Sequence, residues 1–244
     1  VGIRSDLGEL GNLPILSKDV SSEGKKRKFV DIVADVMNRR MECDPRIVVL
    51  GEDVHRLKGG TNGATRDLAT RFPDRVFGTP ISENAFMGLA GGLAMDGRFR
   101  PVVEFMYPDF MWVAADQVFN QVGKARHMFG GAIDVPLVLR TKVAMGTGYG
   151  SQHSMDPAGI FATAPGWRIV APSCPADYVG LMNAALAIND PVLVIEHVDL
   201  YQTISPEPHD LDGIIPPGSA ALRRTGDKVT VITYLAMVQP VSDI

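Results

Sequence analysis

The sequence predicts an α/β protein in which a parallel sheet carries helices on both faces. Two observations point to it. Short runs that are apolar throughout, such as "RIVVL" (46–50), "PVVEFM" (101–106) and "PVLVIEH" (191–197), read as strands buried on both sides. Between them lie segments whose apolar residues recur at helical spacing, and strands alternating with helices assemble into a parallel sheet. A chain of 244 residues with 45% hydrophobic content has enough apolar surface for such a core.

Residues 1–27 mix Gly, Ser, Pro and charges without periodicity and read as a linker or N-terminal arm. The cluster "KKRK" (25–28) reads as the solvated start of the next helix. In "KFVDIVADVMNRRMEC" (28–43), Phe29, Ile32, Val33, Val36, Met37 and Met41 form one helical face. The strand "RIVVL" follows, then a helix near 64–71, a strand at "RVF" and a helix over 82–96. After "PVVEFM" one long helix is expected from 109 to 128, followed by strands "VPLVLRT" (135–141), "WRIVAP" (167–172) and "PVLVIEH". The helix "PADYVGLMNAALAI" (175–188) lies between the last two. These elements define a domain over 28–200. The Pro- and Gly-rich stretch 201–227 reads as an interdomain connection. "KVTVITYLAMV" (228–238) then reads as the first strand of a second domain, truncated within 228–244. With Val1 at one end and "VSDI" at the other, the chain reads as a fragment or processed piece.

The net charge of −4 argues against a nucleic-acid or anionic-membrane surface, both of which need clustered Lys and Arg. No apolar stretch reaches the roughly 20 residues of a bilayer span, and no signal-peptide pattern opens the chain. Cys43 and Cys174 stand far apart, without CxxC or zinc spacing, which fits a reducing compartment.

In parallel sheets of this kind ligands bind beyond the carboxyl ends of the strands. That rule selects Glu52 after "RIVVL", Glu83 after "RVFGTP", and the glycine-rich loop 144–157. The loop sequence "GTGYGSQHSMD" is not a dinucleotide fingerprint, because no apolar helix follows the glycines. GxxxxGK[ST] and GxSxG are also absent. His153, set among small polar residues in this loop, has two readings: a ligand-facing imidazole, or a brace hydrogen-bonded to a carbonyl. His55, His127, His197 and His209 show no metal-ligating cluster.

Glu83 likewise has a plain account, with Ser82 as helix N-cap and an acid in the first turn complementing the helix dipole. Capping leaves "GLAGGL" unexplained. Gly88, Gly91 and Gly92 each cost roughly 1 kcal/mol relative to alanine inside a helix, so they call for an unusually close neighbour, possible at a subunit interface.

Glu83, four residues, Gly88, Leu89, two residues, Gly92 and Leu93 reproduce the signature of the pyrimidine-binding domain of thiamine diphosphate enzymes. The run "RVFGTPISENAFMGLAGGLAMDGRFRPVVEFMYPDF" resembles the beta subunit of the first component of 2-oxo acid dehydrogenase complexes, of pyruvate, acetoin or branched-chain type. Further similarity lies in "VVLGEDV", "SQHS", "PGWRIVAPSCPADYVGLM" and "DPVLVIEH", covering about residues 28–238.

The resemblance implies the thiamine diphosphate-binding fold and a subunit for oxidative decarboxylation of a 2-oxo acid, with a lipoyl group as acyl acceptor. It implies that Glu83 hydrogen-bonds a ring nitrogen of the cofactor's aminopyrimidine, favouring the imino tautomer that activates the thiazolium. That role needs a carboxyl group able to keep or share a proton near neutrality, and Ile81, Phe86 and Phe110 are expected to supply apolar surroundings. Phe110 matches the aromatic that packs on the pyrimidine, Glu52 an acid on a proton path between paired sites, and His153 a histidine facing thiazolium and substrate. A monovalent cation, potassium, is implied at carbonyls near Leu137, Ala185, Leu186, Ile188 and Asp190. The diphosphate and its magnesium are held in the family by a GDG…N motif on an alpha part, and no GDG occurs here. An alpha subunit or fused alpha domain is therefore expected, with self-association as α₂β₂ or a dimer of fused chains, and docking to a lipoyl acyltransferase core. The compartment implied is the cytoplasm in a bacterium or the mitochondrial matrix in a eukaryote. Two other readings stand beside this one: another thiamine enzyme of transketolase type, and a noncatalytic assembly domain. "VPLVLRT" and "APSCPAD" lean towards acetoin or pyruvate types, while the substrate remains unassigned.

Overall fold

In a computed structural model, residues 14, 25–56, 58–60 and 62–244 are described. The expected arm over 1–27 lies almost wholly outside the described residues. The elements run β1 (Lys26–Lys28), α1 (Phe29–Cys43), β2 (Ile47–Gly51), α2 (Leu68–Arg71), β3 (Val76–Gly78), α3 (Glu83–Met95) and β4 (Arg100–Phe105). They continue with α4 (Gly123–Met128), β5 (Val138–Val143), α5 (Ala158–Thr163), β6 (Arg168–Val170), α6 (Pro175–Ala187), β7 (Val192–His197), α7 (Val198–Gln202), β8 (Ile204–Pro206) and α8 (Val238–Ser242).

The main sheet has six strands in the order β3-β2-β4-β5-β7-β6, every neighbouring pair parallel. Period-two alternation divides its side chains between two cores. Ile47, Val49, Val102, Val138, Val192 and Val194 join α1 and α6 on one face, while Val48, Leu50, Val103, Leu139, Leu193 and Ile195 join α3 and α4 on the other. Phe29 of α1 meets Tyr178 of α6 edge-on at 5.8 Å. Full burial on both faces is why these strands are apolar throughout.

Four expectations are corrected. Residues 26–28 of "KKRK" form β1, paired antiparallel with β8, because Arg27 finds carboxylate partners in Asp35 and Glu207, the latter at 2.8 Å. The helix near 64–71 contracts to α2, since Asp67 takes a left-handed backbone at φ 68°, which no helix can run through. The single helix over 109–128 is instead a 3₁₀ turn at Pro108–Trp112, a π-helix at Asp116–Val122 and then α4. There the Trp167 indole N–H donates to the Val118 carbonyl at 3.0 Å, and the Gly123 N–H reaches the same oxygen five residues back. A side chain inserted into the ladder widens the turn. Finally, 228–234 forms no strand; Val229 and Ile232 are exposed, and a 3₁₀ turn at Leu235–Met237 and α8 follow. An extended segment with no strand beside it cannot complete a ladder.

Candidate active site

Four neighbouring strands, β3, β2, β4 and β5, deliver the candidate residues to one edge of the sheet. Glu52 directly follows β2, and Glu83 opens α3 after the short loop that leaves β3. Gly51 and Gly78, the last residues of those strands, are register partners, so the two acidic loops start side by side. Phe110 follows β4 in the 3₁₀ turn Pro108–Trp112, and His153 follows β5 in the 3₁₀ turn Ser151–His153.

The two acids form a pair. Glu83 is only 5% exposed. Glu52 is half-buried, and its Oε1 is buried with no hydrogen-bond partner among the described residues. Burial, the Glu83 charge, a hydrogen bond to Glu83 and the nearby Asp53 push the Glu52 carboxyl up to about 7. Two carboxyl groups that share a hydrogen bond must hold a proton between them, and here that proton stays into the neutral range. The capping account of this junction fails, because Ser82 sits at the N-cap position but its side chain accepts no hydrogen bond from the helix. The first-turn N–H groups of Ala85 and Phe86 are met by the Ser82 backbone carbonyl. Ile81 does not shield Glu83 as expected. It is 86% exposed, while Phe86 turns into the core against Phe105 at 5.5 Å.

The second group is aromatic. The His153 ring lies 4.8 Å from Tyr107 and 5.3 Å from Phe110, both edge-on, and Tyr149 lies 5.7 Å from Tyr107. His153 is thus packed among rings, and no bond from its imidazole to a carbonyl is seen among the described residues. The loop is braced by other groups: Ser154 Oγ donates to Gly150 O at 2.6 Å, and Met155 N–H donates to Asp109 Oδ2 at 3.2 Å. Glycines at φ 84°, 87° and 91° (Gly146, Gly148, Gly150) allow the chain to turn under His153. Burial, together with Tyr149, pushes the Tyr107 hydroxyl up, although a hydrogen bond to Asn62 opposes this. Asn62 lies in the loop after Glu52, so Tyr107 ties the aromatic group to the acidic side of the edge.

Tyr107, Tyr149 and the charges beneath them escaped sequence reasoning. Lys142, almost fully buried, places Nζ 3.0 Å from Glu104 Oε1 and 5.7 Å from the Tyr107 ring centre. Arg140 Nε donates to Glu196 Oε1 at 2.8 Å. Burial alone would push Glu104 up, but Lys142 and Arg140 hold it below the usual carboxylate range. The register partners Glu104–Arg140 and Lys142–Glu196 carry opposite charges on adjacent parallel strands, a signal legible only once the pairing is known.

The glycines of α3 face two ways. A Cβ on Gly91 would stand 3.0 Å from Val122 Cγ2, and one on Gly88 would stand 3.1 Å from Gln117 Oε1, so both pack against this chain's own π-helix. Only Gly92 opens outward, with nothing within 4 Å, beside the exposed Leu89. The close neighbour expected for the glycines is thus found within this chain for Gly88 and Gly91, and Gly92 is left open. Three of the five carbonyls expected to hold potassium are engaged otherwise: Leu137 O accepts from Val192 N–H at 2.8 Å, and Leu186 O and Ile188 O accept from Arg100 Nη1 at 2.9 and 3.0 Å.

Comparison with known proteins agrees with this architecture. The subunit beta of acetoin:2,6-dichlorophenolindophenol oxidoreductase from Cupriavidus necator is 38% identical over 84% of this chain and 63% of its own length. The 2-oxoisovalerate dehydrogenase subunit beta of Bacillus subtilis is 40% identical over 84% of this chain and 63% of its own. The mitochondrial pyruvate dehydrogenase E1 component subunit beta-1 of Arabidopsis thaliana is 34% identical over 92% and 62%. The chain thus spans less than two thirds of the length of these relatives. Among solved structures, a split gene transketolase described as an inactive beta4 tetramer superposes with a TM-score of 0.69 at 20% identity, over 91% of this chain and 66% of that one. Residues 25–203 match the family described as "Transketolase, pyrimidine binding domain", nearly the span that β1 and β8 enclose. With its parallel sheet and the acid pair at its carboxyl edge, the chain belongs to the transketolase pyrimidine-binding domain family.

Proposed function

We propose that this chain is the beta part of a 2-oxo acid dehydrogenase that decarboxylates its substrate and passes the acyl group to a lipoyl group. The observation that carries the reading is the acid pair: Glu83 buried, and Glu52 beside it raised to about 7. A shared proton with an aromatic ring at the same sheet edge suits a flat nitrogen heterocycle, and family membership makes that heterocycle the aminopyrimidine of thiamine diphosphate. The bound cofactor supplies the electron sink that decarboxylation of a 2-oxo acid requires.

The protein's share of the work is proton control and placement. Glu83, in its buried position, offers a carboxyl oxygen to a ring nitrogen, and Glu52 is the reservoir that keeps a proton available near neutrality. Phe110 presents a ring on which the heterocycle can pack, with Ile81 exposed for contact from the other side. His153, held by Tyr107 and Phe110, keeps its ring nitrogens for the substrate end, where an imidazole can give or accept a proton during acyl transfer.

Among the described residues no three His, Cys, Asp or Glu side chains converge as metal ligands. Magnesium and the diphosphate are therefore assigned to a partner carrying the missing motif, either an alpha subunit or a fused alpha domain. The outward Gly92 with Leu89, Trp112, Val113 and Phe129, all more than half exposed, supplies an apolar face for such a partner or for a second copy, as in an α₂β₂ assembly. Docking to a lipoyl acyltransferase core, and the reading of 228–244 as the start of a second domain, belong to the same proposal. The relatives quoted above are named as dehydrogenase or oxidoreductase beta subunits, which does not favour the transketolase alternative.

Glu83→Gln tests the reading in the full-length protein with its partner. Cofactor-dependent decarboxylation should fall by a factor of about 10² or more, with the circular-dichroism spectrum and unfolding midpoint retained. Near-normal turnover would remove Glu83 from the mechanism.

A further inference from the structure

We propose that the guanidinium of Arg100 takes the place of the monovalent cation at the turn between α6 and β7, so that the fold does not depend on potassium. The residues of this chain do not suit the ion. A cation there would sit between the Leu186 and Ile188 carbonyl oxygens at about the distance of a hydrogen bond. That point is occupied by Arg100 Nη1, 2.9 Å from Leu186 O and 3.0 Å from Ile188 O. Nη2 of the same side chain donates to Asn189 Oδ1 at 2.9 Å, which fixes the plane of the fork. Arg100 is only 5% exposed, so its charge is buried together with those oxygens.

Other groups around the turn are engaged too. Leu137 O accepts from Val192 N–H. Asn189 O accepts from Arg126 Nη2 at 2.6 Å, and the fully buried Asp190 carboxylate pairs with Arg126 and, at 2.8 Å, with Arg168. Asp134 lies 3.2 Å from Arg126 as well. Asp44 also feels the Arg100 charge, which helps hold its carboxyl below the usual carboxylate range, so guanidinium and carboxylate charges are already matched around the turn. The planar fork also does what a spherical ion cannot, because it joins the first residue of β4 to the turn that leads into β7. This inference is independent of the chemistry proposed for Glu83.

The test is an unfolding titration of the full-length protein at constant ionic strength, exchanging choline chloride for potassium chloride. The midpoint should agree within about 1 °C across the series. After rubidium loading and gel filtration, elemental analysis should find less than a tenth of an ion per chain. A saturable rise of the midpoint in potassium, or one retained rubidium per chain, would overturn the proposal. Arg100→Met in choline should lower the midpoint by more than about 4 °C, as expected when buried carbonyls lose their donor, and a midpoint equal to the parent's would also overturn it. If that variant does not fold, the titration of the parent still decides.

Discussion

Replacing Glu52 by Gln keeps the shape of the side chain and removes its titration. In the folded protein the Glu52 carboxyl is pushed from its ordinary 4.5 to about 7 by burial and by Glu83. The native state therefore binds this proton more tightly than the unfolded chain does. The stability it confers is complete below about pH 4.5 and is lost as pH rises through about 7. At roughly 1.4 kcal/mol per pH unit the full displacement would be worth about 3 kcal/mol. Solvent reaches this half-buried side chain, and that screening reduces the expected change to about 1–2 kcal/mol. Denaturant unfolding of the parent and of Glu52→Gln, measured from pH 5 to pH 8.5, reads it directly. The parent should lose about 1–2 kcal/mol relative to the variant over that interval. The pH profile of decarboxylation should also lose an inflection near neutrality in Glu52→Gln. Parallel stability curves for the two proteins would refute the shared-proton account, whatever the activity of the variant.

His153→Asn is expected to lower lipoyl-dependent turnover by about 10² while reducing decarboxylation, followed with an artificial electron acceptor, far less. Equal losses in the two assays would remove the assignment to acyl transfer. Gly92→Leu, at the glycine with open space around it, should leave the unfolding midpoint of the isolated chain unchanged but prevent association, read as a smaller mass in light scattering. Unaltered assembly would place the interface elsewhere.

The architecture was legible because burial on both faces writes itself into strands as unbroken apolar runs, and "RIVVL" and "PVLVIEH" show this plainly. The positions of Glu52, Glu83 and the loop that carries His153 followed from where such runs end, whereas Phe110 was singled out only by the family resemblance. What the residues could not disclose depends on contacts across the chain. The break in the long helix is set by Trp167, nearly fifty positions from the carbonyl it reaches, as bond Trp167 Nε1 to Val118 O shows. Tyr107 reads as an ordinary strand-end aromatic until the rings of His153 and Phe110 are seen against it. Nothing in the local sequence marks Arg100, whose partners lie 86 and 88 residues away. Distances of that kind follow from sheet order, which local periodicity does not encode.

The small sheet of β1 and β8 has a consequence for how such a domain is reused. Lys26 faces Pro206 and Lys28 faces Ile204, so the first and last strands close on each other at one neck, reinforced by the Arg27–Glu207 pair. That neck follows β7 and α7, which leave the sheet at the edge where the acid pair stands. Beyond Pro206 the chain stays on the domain, with Asp212 paired to Arg39 and Arg40, Ile214 buried in one core and Leu235 in the other. Closed by that ladder, the span from β1 to β8 can be carried as one unit in longer or divided chains.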